Sequence, residues 1–194
     1  MTPVDPDALD RQDMARLAGG QDGALNDLME RHAAPVFHFL CRMLGSEDDA
    51  NDLAQETFAR VYRSRYGFKP DANFSTWLFT IAANLARNHI RWRARHPNVS
   101  LDAESPETEQ TLGDALPAPG DAPSAGLESA ERAAAVRAAV AKLPDEMRET
   151  LVLVEWEDKP VAEVAAILNV PARTIESRLY RARNILRERL SKWL

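Results

Sequence analysis

The sequence predicts an all-α protein with two small helical domains joined by a flexible acidic linker. Apolar residues recur at intervals of three and four, the period of a helix, and Val, Ile and Thr never form the alternating pattern of a strand. Residues 98–128 contain four prolines, three glycines and no aromatic or basic residue. Such a segment cannot bury enough apolar surface to offset the entropy of ordering it. We therefore divide the 194 residues into a domain at 1–96, a linker at 97–128 and a domain at 129–194.

Four helices are expected in the first domain. Gly45 and Ser46 supply a turn, and the acids that follow them favour a helix start. Gly67 and Pro70 mark a loop before the last helix of this domain. The predicted helices are Asp7–Leu17, Gly23–Leu44, Asp48–Arg65 and Ser75–Arg95.

Four further helices are expected in the second domain. Pro144, Pro160 and Pro171 each stand at or near a helix start, where the missing N–H costs little. The predicted helices are Glu128–Lys142, Pro144–Trp156, Pro160–Leu168 and Ala172–Trp193. The last two, a short helix and a longer one joined by a tight turn, have the arrangement of a helix-turn-helix.

Charge is distributed unevenly along the chain. The net charge is −6, but residues 97–128 carry seven acids and no basic residue, so the acidity lies mainly in the linker. Residues 172–192 carry seven basic residues and two acids, and residues 84–96 carry four arginines and no acid. Two cationic helices of this kind indicate a nucleic-acid partner despite the negative total.

Composition excludes several other classes of protein. The single cysteine, Cys41, rules out an internal disulfide and a zinc site built from several cysteines. No apolar run approaches the roughly 18 residues of a membrane span. The acidic N-terminus does not resemble a signal peptide. We expect a cytoplasmic protein that does not insert into a membrane.

The last predicted helix divides into an apolar seam and a polar face. At about 100° per residue, its buried side would be formed by Ile175, Leu179, Ala182, Leu186 and Leu190. The opposite face carries side chains that can bond base edges or phosphates. They are Arg173, Thr174, Ser177, Tyr180, Arg181 and Asn184, with Arg178 and Arg183 on the flanks. A solvated helix that keeps its arginines for solubility is the alternative.

The helix at 75–95 shows the same division. One stripe holds Asn84, Arg87, Asn88, Arg91 and Arg95, which suits reading bases or following phosphates. A solvated face would show the same pattern. The side expected to face the core holds Leu78, Ile81, Leu85 and Trp92.

Blocks of sequence in both domains resemble bacterial sigma factors. Sigma region 2 is similar to three segments of the first domain, at residues 49–58, 68–70 and 74–84. Sigma region 4 is similar to three parts of the second domain, namely Leu143-Pro144, the helix at 160–168 and the segment 177–183. Two such domains with only a linker between them resemble the extracytoplasmic-function (ECF) group, also called group 4. The resemblance implies a non-enzymatic subunit without metal or cofactor, which directs RNA polymerase to promoters and assists promoter melting.

The resemblance also assigns residues to the polymerase core. The helix at 49–58 would dock on the coiled coil of the β′ clamp, and the second domain on the β flap. The implied polymerase-binding residues are Asp49, Asp52, Leu53, Gln55, Glu56 and Phe58, of which Leu53 and Phe58 would anchor the helix. Alternatively, the acids of this helix cap its start and face water without binding the polymerase. An anti-sigma factor is a common partner in this group, and the linker would either thread through the polymerase or act as a solvated spacer.

The remaining implied residues belong to promoter DNA. The loop at 67–74 would capture a flipped base of the minus-ten element, with the amides contacting bases and the arginines holding phosphates. The minus-ten residues are Phe68, Lys69, Asn84, Arg87, Asn88, Arg91 and Arg95. The minus-thirty-five residues are Arg173, Thr174, Ser177, Arg178, Tyr180, Arg181 and Arg183. Trp77 could be a melting aromatic, but its place on the apolar side favours the core.

The chain departs from the family pattern at the turn into the last helix. Arg173 stands where glycine is common, and Glu176 where a basic residue is common. A carboxylate is repelled by phosphate yet can accept a hydrogen bond from cytosine N4. We therefore do not expect the usual minus-thirty-five sequence.

Two other functions are compatible with parts of the sequence. A repressor or activator could bind duplex DNA through the helix-turn-helix and use residues 1–96 to sense or dimerise. An enzyme or metal site would draw on His32, His38, Cys41, His89 and His96, but their spacing offers no fourth ligand or paired base, which favours ordinary packing. A glycine loop for nucleotide phosphates is absent from the sequence.

Overall fold

The structure, a computed structural model, describes residues 6–96 and 123–193 and consists of helices without strands over these ranges. The helices are α1 (Pro6–Ala18), α2 (Gly23–Leu44), α3 (Glu47–Arg63), α4 (Phe74–Arg95), α5 (Pro123–Ala141), α6 (Asp145–Glu155), α7 (Val161–Leu168) and α8 (Ala172–Arg189). Short 3₁₀ turns follow α3 and α8, at Arg65–Gly67 and Ser191–Trp193. The prediction of an all-α protein with two helical domains is confirmed.

The start of α5 differs most from the predicted bounds. This helix begins at Pro123, five residues before the predicted start at Glu128 and inside the stretch predicted as linker. Proline is favoured at the first position of a helix, and the Ala, Leu and Glu that follow are good helix formers. The rest of the predicted linker, residues 97–122, lies outside the described residues.

Local signals set the helix ends where the sequence predicted turns. Gly45 closes α2 in the left-handed conformation, with φ of +69°, and its N–H bonds to Cys41 O. Ser46 then caps α3 by accepting a hydrogen bond from the Asp49 N–H. Asn169, with φ of +53°, ends α7 and makes the tight turn that leads into α8. These turns orient α3 and α8, two of the helices that carry candidate binding residues.

Helices α1 to α4 pack around one apolar core. The fully buried side chains include Leu28, Phe39, Leu78 and Phe79, and the Phe39 and Phe79 rings meet edge to face at 5.6 Å. Because both long helices α2 and α4 bury one side in this core, their opposite sides are directed outward.

An ion-pair network fixes α1 on α2. Asp10, which is 2 % exposed, accepts hydrogen bonds from Arg31 at 2.9 Å and contacts His32 Nε2 at 2.7 Å. Arg31 also donates to Asp13, and the His32 ring meets Phe74 edge to face. The network therefore links α1, α2 and the first residue of α4.

Helices α6, α7 and α8 form the helix-turn-helix half of the chain. Val164 and Ile167 of α7 pack with Ile175, Leu179 and Ala182 of α8, all of them buried. The predicted apolar seam of α8 is therefore confirmed at its first three positions, while Leu186 and Leu190 are half-buried. The two halves also touch, with α4 packed against α7 and α2 against α6.

Candidate nucleic-acid interface

The polar stripe of α4 is an ordered row of arginines and asparagines. Arg87 Nη2 donates to Asn84 Oδ1 at 2.9 Å, and Arg91 Nη2 donates to Asn88 Oδ1 at 2.7 Å. Each arginine thus lies against the amide one turn earlier. Asn84, Asn88, Arg91 and Arg95 are exposed, whereas Arg87 is half-buried. We call these five residues the α4 row.

Backbone contacts hold the arginines of the α4 row in place. The Nε atoms of Arg87, Arg91 and Arg95 donate to the carbonyls of the residues four positions earlier, at 3.2 to 3.3 Å. The Oδ1 atoms of Asn84 and Asn88 already accept hydrogen bonds from arginine. The Nδ2 groups of the same two asparagines are therefore the donors left for a ligand. The row can therefore donate hydrogen bonds to bases and attract phosphates along one side of the helix.

The loop before α4 is anchored by aromatic packing. The Phe68 ring lies 5.2 Å from the Trp77 ring and 6.0 Å from the Phe74 ring, and all three rings contact one another. Phe68 and Trp77 are half-buried, which agrees with core packing as the interpretation of Trp77, and Lys69 is exposed. Asn73 caps α4 at the Thr76 N–H and donates to Asp7 of α1 at 2.9 Å.

The predicted DNA face of α8 is largely exposed. Exposed positions are Arg173, Ser177, Tyr180, Arg181 and Arg183, while Thr174 and Arg178 are half-buried. Two of the arginines are engaged within this half of the chain, Arg178 with Glu146 at 2.6 Å and Arg183 with Glu155 at 2.5 Å. Glu176 is exposed beside Ser177, so its carboxylate is available to a ligand on this face.

The candidate polymerase residues divide by burial. Asp52 and Gln55 are exposed, while Asp49, Leu53 and Glu56 are half-buried. Asp49 lies 3.4 Å from both His89 and Arg93 of α4, and Glu56 pairs with Arg60 and Arg63. Phe58 is 3 % exposed, so it holds α3 in the core and does not face a partner in this arrangement.

Trp92 corrects one expectation about α4. The sequence assigned it to the core side, but its side chain is 42 % exposed and its ring stacks on His96 at 5.0 Å. At about 80° from Asn84 it stands on the boundary between the α4 row and the buried side. With Leu53 and Leu85 it lines a groove between α3 and the end of α4.

The histidines and the cysteine have structural neighbours. His32 pairs with Asp10, His96 Nδ1 contacts Trp92 O, and the His38 ring lies 5.9 Å from Phe37. Burial raises the pKa of the Cys41 thiol to about 11, so this thiol stays protonated near neutral pH. Within residues 6–96 and 123–193, no three His, Cys, Asp or Glu side chains are grouped to hold a metal ion. Over the same residues no helix has the length and apolar character needed to cross a membrane.

Comparison with known families matches both halves. The family model for Sigma-70 region 2 matches residues 28–96, and that for Sigma-70, region 4, matches residues 133–186. Similar proteins include the ECF RNA polymerase sigma factor SigW of Bacillus subtilis, 34 % identical over 88 % of this chain and 91 % of its own length. The RNA polymerase sigma-H factor of Pseudomonas aeruginosa is 31 % identical over 95 % of each chain.

A solved structure supports the same relationship. CnrH, in its complex with the cytosolic domain of CnrY, matches with a TM-score of 0.68 and 28 % identity, over 95 % of this chain and 98 % of CnrH. A sigma factor is a transcription initiation factor that directs RNA polymerase to promoters and is not an enzyme. The chain belongs to the ECF sigma factors of bacterial RNA polymerase.

Proposed function

We propose that the two halves of this sigma factor divide promoter recognition between the α4 row and the exposed face of α8. The α4 row, with the loop at residues 67–74, reads and opens the minus-ten element. The exposed face of α8 reads the minus-thirty-five element. Helix α3 docks on the β′ clamp and the second half on the β flap.

The observation that carries this proposal is the hydrogen-bonded order of the α4 row. Three guanidinium groups are fixed at successive turns by their own helix, so they are spaced to follow a phosphate backbone. Asn84 and Asn88 lie between them with free amide donors, which is what base recognition requires. A face kept merely for solubility needs no such bracing.

The face of α8 supports the minus-thirty-five assignment in a similar way. In a helix-turn-helix, the first part of the second helix enters the major groove. The exposed residues Arg173 and Ser177 lie in this part of α8, Arg181 follows one turn later on the same face, and all three offer donors to bases and phosphates.

The exposed side of α3 supports polymerase docking. Asp52 and Gln55 project from it, and the half-buried Leu53 lies beside the groove that Trp92 lines. An apolar groove with a polar rim is a common form of protein interface. We further propose that the protein works in the cytoplasm and that a protein partner restrains it, since the similar CnrH was solved in complex with CnrY.

The minus-ten assignment is tested by replacing Asn84 and Asn88 with Ala together. We expect transcription from duplex promoters to fall at least tenfold, and transcription from templates melted in advance to fall less, because the amides act on opened bases. Core polymerase should be pulled down as efficiently as by the unaltered chain. The control Asn26→Ala removes an exposed amide from α2. Loss of polymerase binding in the double variant, or full duplex transcription by it, would contradict the assignment.

A further inference from the structure

Helix α1 lies against the part of the chain that leads into α4. It precedes residues 28–96, which match the model for Sigma-70 region 2, and none of the proposed binding residues lies on it. It packs on the 3₁₀ turn at Arg65–Gly67 and also on α4. The elements on both sides of the loop at residues 67–74 therefore contact α1.

The loop at 67–74 contains a turn that is closed by a backbone hydrogen bond. The Ala72 N–H donates to Lys69 O at 2.9 Å, and Pro70 stands at the second position of this turn, a place that proline favours. Lys69 and Asp71 are exposed. Because the turn holds its own shape, the direction in which it presents Lys69 depends on how the chain is held on either side of it.

Asn73, directly after this turn, bonds to α1 and caps α4 at the same time. Its Nδ2 donates to Asp7 Oδ2 at 2.9 Å, and its Oδ1 accepts from the Thr76 N–H at 2.8 Å. The side chain therefore uses a separate group for each helix. The contact with α1 can be altered by substitution while the cap of α4 is kept.

Phe74, the next residue, connects the loop to a buried pair that α1 shares with α2. Its ring is fully buried and meets the His32 ring edge to face at 5.2 Å. His32 Nε2 lies 2.7 Å from the buried Asp10 carboxylate of α1. The Phe74 ring also lies 6.0 Å from the ring of Phe68, at the other end of the loop. A continuous series of contacts thus joins α1 to both ends of the loop.

We infer that α1 positions the loop at 67–74 for reading the minus-ten element. Asp7 is a positioning residue that acts through Asn73, and Asp10 acts through the His32 ring. Both carboxylates would repel phosphate, so their contribution comes from holding the loop and not from touching DNA. A loop that is held in advance loses less entropy when it binds an unpaired base. The inference rests on the proposed assignment of this loop to the minus-ten element.

The test uses a substitution that keeps the cap of α4 but opposes the contact with α1. Asn73→Asp retains an oxygen that can accept from the Thr76 N–H, and aspartate caps helices as well as asparagine does. It also removes the amide donor and sets two carboxylates against each other. Adding Asp7→Asn restores one donor and one acceptor with their places exchanged. Asp7→Ala removes the contact without altering the cap.

The measurement is the minus-ten selectivity of the holoenzyme formed from the full chain and core polymerase. The probe is a promoter duplex selected by the holoenzyme from a randomised pool, with its template strand mismatched across the minus-ten element. Selectivity is the affinity of the holoenzyme for this probe divided by its affinity for a copy with a scrambled minus-ten sequence. A partly unfolded chain lowers both affinities by the same factor, so loss of stability alone leaves the ratio unchanged.

We expect Asn73→Asp to lower the selectivity ratio about tenfold, which is the usual worth of one direct base contact. Asp7→Ala should lower it less, because no repulsion is introduced. The double variant Asp7→Asn with Asn73→Asp should recover the ratio of the unaltered chain. The matched control is Asn26→Asp, the same change at an exposed position of α2, and it should leave the ratio unchanged.

An unchanged ratio in Asn73→Asp would overturn the inference, and so would a double variant no more selective than Asn73→Asp alone. Failure of the proposed loop assignment gives a different result. In that case Phe68→Ala and Lys69→Ala leave the ratio unchanged. Amide hydrogen exchange at Ala72 in the free chain then still reports whether α1 holds the loop, since it should be faster in Asn73→Asp and slow again in the double variant.

Discussion

Arginine and asparagine side chains on α4 are hydrogen-bonded in pairs, and each hydrogen bond fixes the orientation of both side chains. Arg87 lies against Asn84, and Arg91 against Asn88, with nitrogen-to-oxygen distances of 2.9 and 2.7 Å. In each pair the asparagine amide nitrogen is therefore turned away from the arginine, and the arginine side chain loses part of its conformational freedom. Such bracing lowers the entropy that is lost when the side chains meet DNA.

Replacing Glu176 with Lys should change the preferred minus-thirty-five sequence. The Glu176 carboxylate is exposed on α8 beside Ser177, where it can accept from cytosine and repel phosphate. Selection of binding sites by the holoenzyme should show discrimination at one or two base pairs changing by about 1–3 kcal/mol, the usual worth of a direct base contact. Glu188→Lys makes the same change at an exposed position near the end of α8. An unchanged preference in Glu176→Lys would show that this residue does not face bases.

Trp92 and Phe58 show where residue-level prediction from the sequence succeeds and fails. Phe58 was expected to anchor its helix, and it is buried in the core. Trp92 was expected on the core side, but it is 42 % exposed. It stands at the boundary of the apolar side of α4, where the angular position of a residue around the helix does not determine whether its side chain is buried. Periodicity locates the centre of a face better than its edges.

At the scale of elements, α1 is held by its buried apolar residues Met14 and Leu17 and by the charged network that it shares with α2. Burial by itself raises the pKa of the Asp10 carboxyl, but the hydrogen bonds and charges of His32 and Arg31 outweigh burial and hold this pKa below its usual value. A carboxyl with a lowered pKa stabilises the fold above its unfolded pKa, and this stabilisation is lost as the pH falls through the folded value.

Asp10→Asn should therefore lower the free energy of unfolding by about 2–3 kcal/mol at pH 7, because it removes the charge of a buried carboxylate from its half-buried partners Arg31 and His32. The difference from the unaltered chain should shrink as the pH falls below about 4. Urea unfolding at pH 7 and at pH 3.5 measures both values. Asp27→Asn, which alters a half-exposed ion pair with Arg16, should cost less than about 1 kcal/mol. An equal cost in the two variants would contradict the role given to Asp10.

The helices were predictable because their end signals are local. The Gly45-Ser46 turn, the loop before α4 and the turn at Asn169 all fall where the sequence placed them. The start of α5 was not predictable to the same degree, since a segment rich in proline and glycine can still begin a helix at one of its prolines.

At the scale of the whole molecule, the two helices that we propose to bind the promoter are rich in basic residues, whereas the chain as a whole is acidic. The total of −6 opposes binding to duplex DNA, although α8 and the end of α4 are rich in arginine. Two of these arginines, Arg87 and Arg178, lie 3.5 and 3.6 Å from the buried Glu149 carboxylate of α6. Both features agree with the proposal that polymerase supplies the missing affinity.

The contact between the two halves of the chain should weaken as the pH rises, and we call the chain with its halves in contact the closed form. Burial raises the pKa of Glu149 to about 6 and that of Glu157 to about 7, while Arg42 and Lys159 lower the latter and Asp158 raises it. Both carboxyls return to ordinary values on opening, so the closed form binds more protons. Its stabilisation is fully present below the ordinary pKa of about 4.5 and is lost as the pH rises through 6 and 7.

Glu149 contributes to this change in the direction set by its raised pKa. Energy transfer between dyes on Ala34→Cys of α2 and Glu188→Cys of α8, in a chain that also carries Cys41→Ser, should therefore fall as the pH rises from 5 to 8. The double variant Glu149→Gln with Glu157→Gln should show a flat profile. A rising profile in the unaltered chain, or the same slope in the double variant, would rule out these carboxyls as the cause.

The contact between the halves could not be predicted from the sequence. In the sequence, Glu149 is an acid within a predicted helix and Glu157 an acid just after it. Nothing in their spacing indicates that Arg87 lies beside Glu149 or that Arg42 lies beside Glu157. Such pairs depend on how two distant helices pack. By contrast, the polar stripes of α4 and α8 follow from helical period, and the resemblance to sigma factors is what assigned them to DNA.

The most direct test of joint promoter reading is a titration of promoter duplex with the full chain, with and without core polymerase. We expect polymerase to lower the dissociation constant at least a hundredfold, since only the mounted chain holds α4 and α8 at the spacing of the two elements. An isolated chain that binds the promoter as tightly as the holoenzyme would contradict the account.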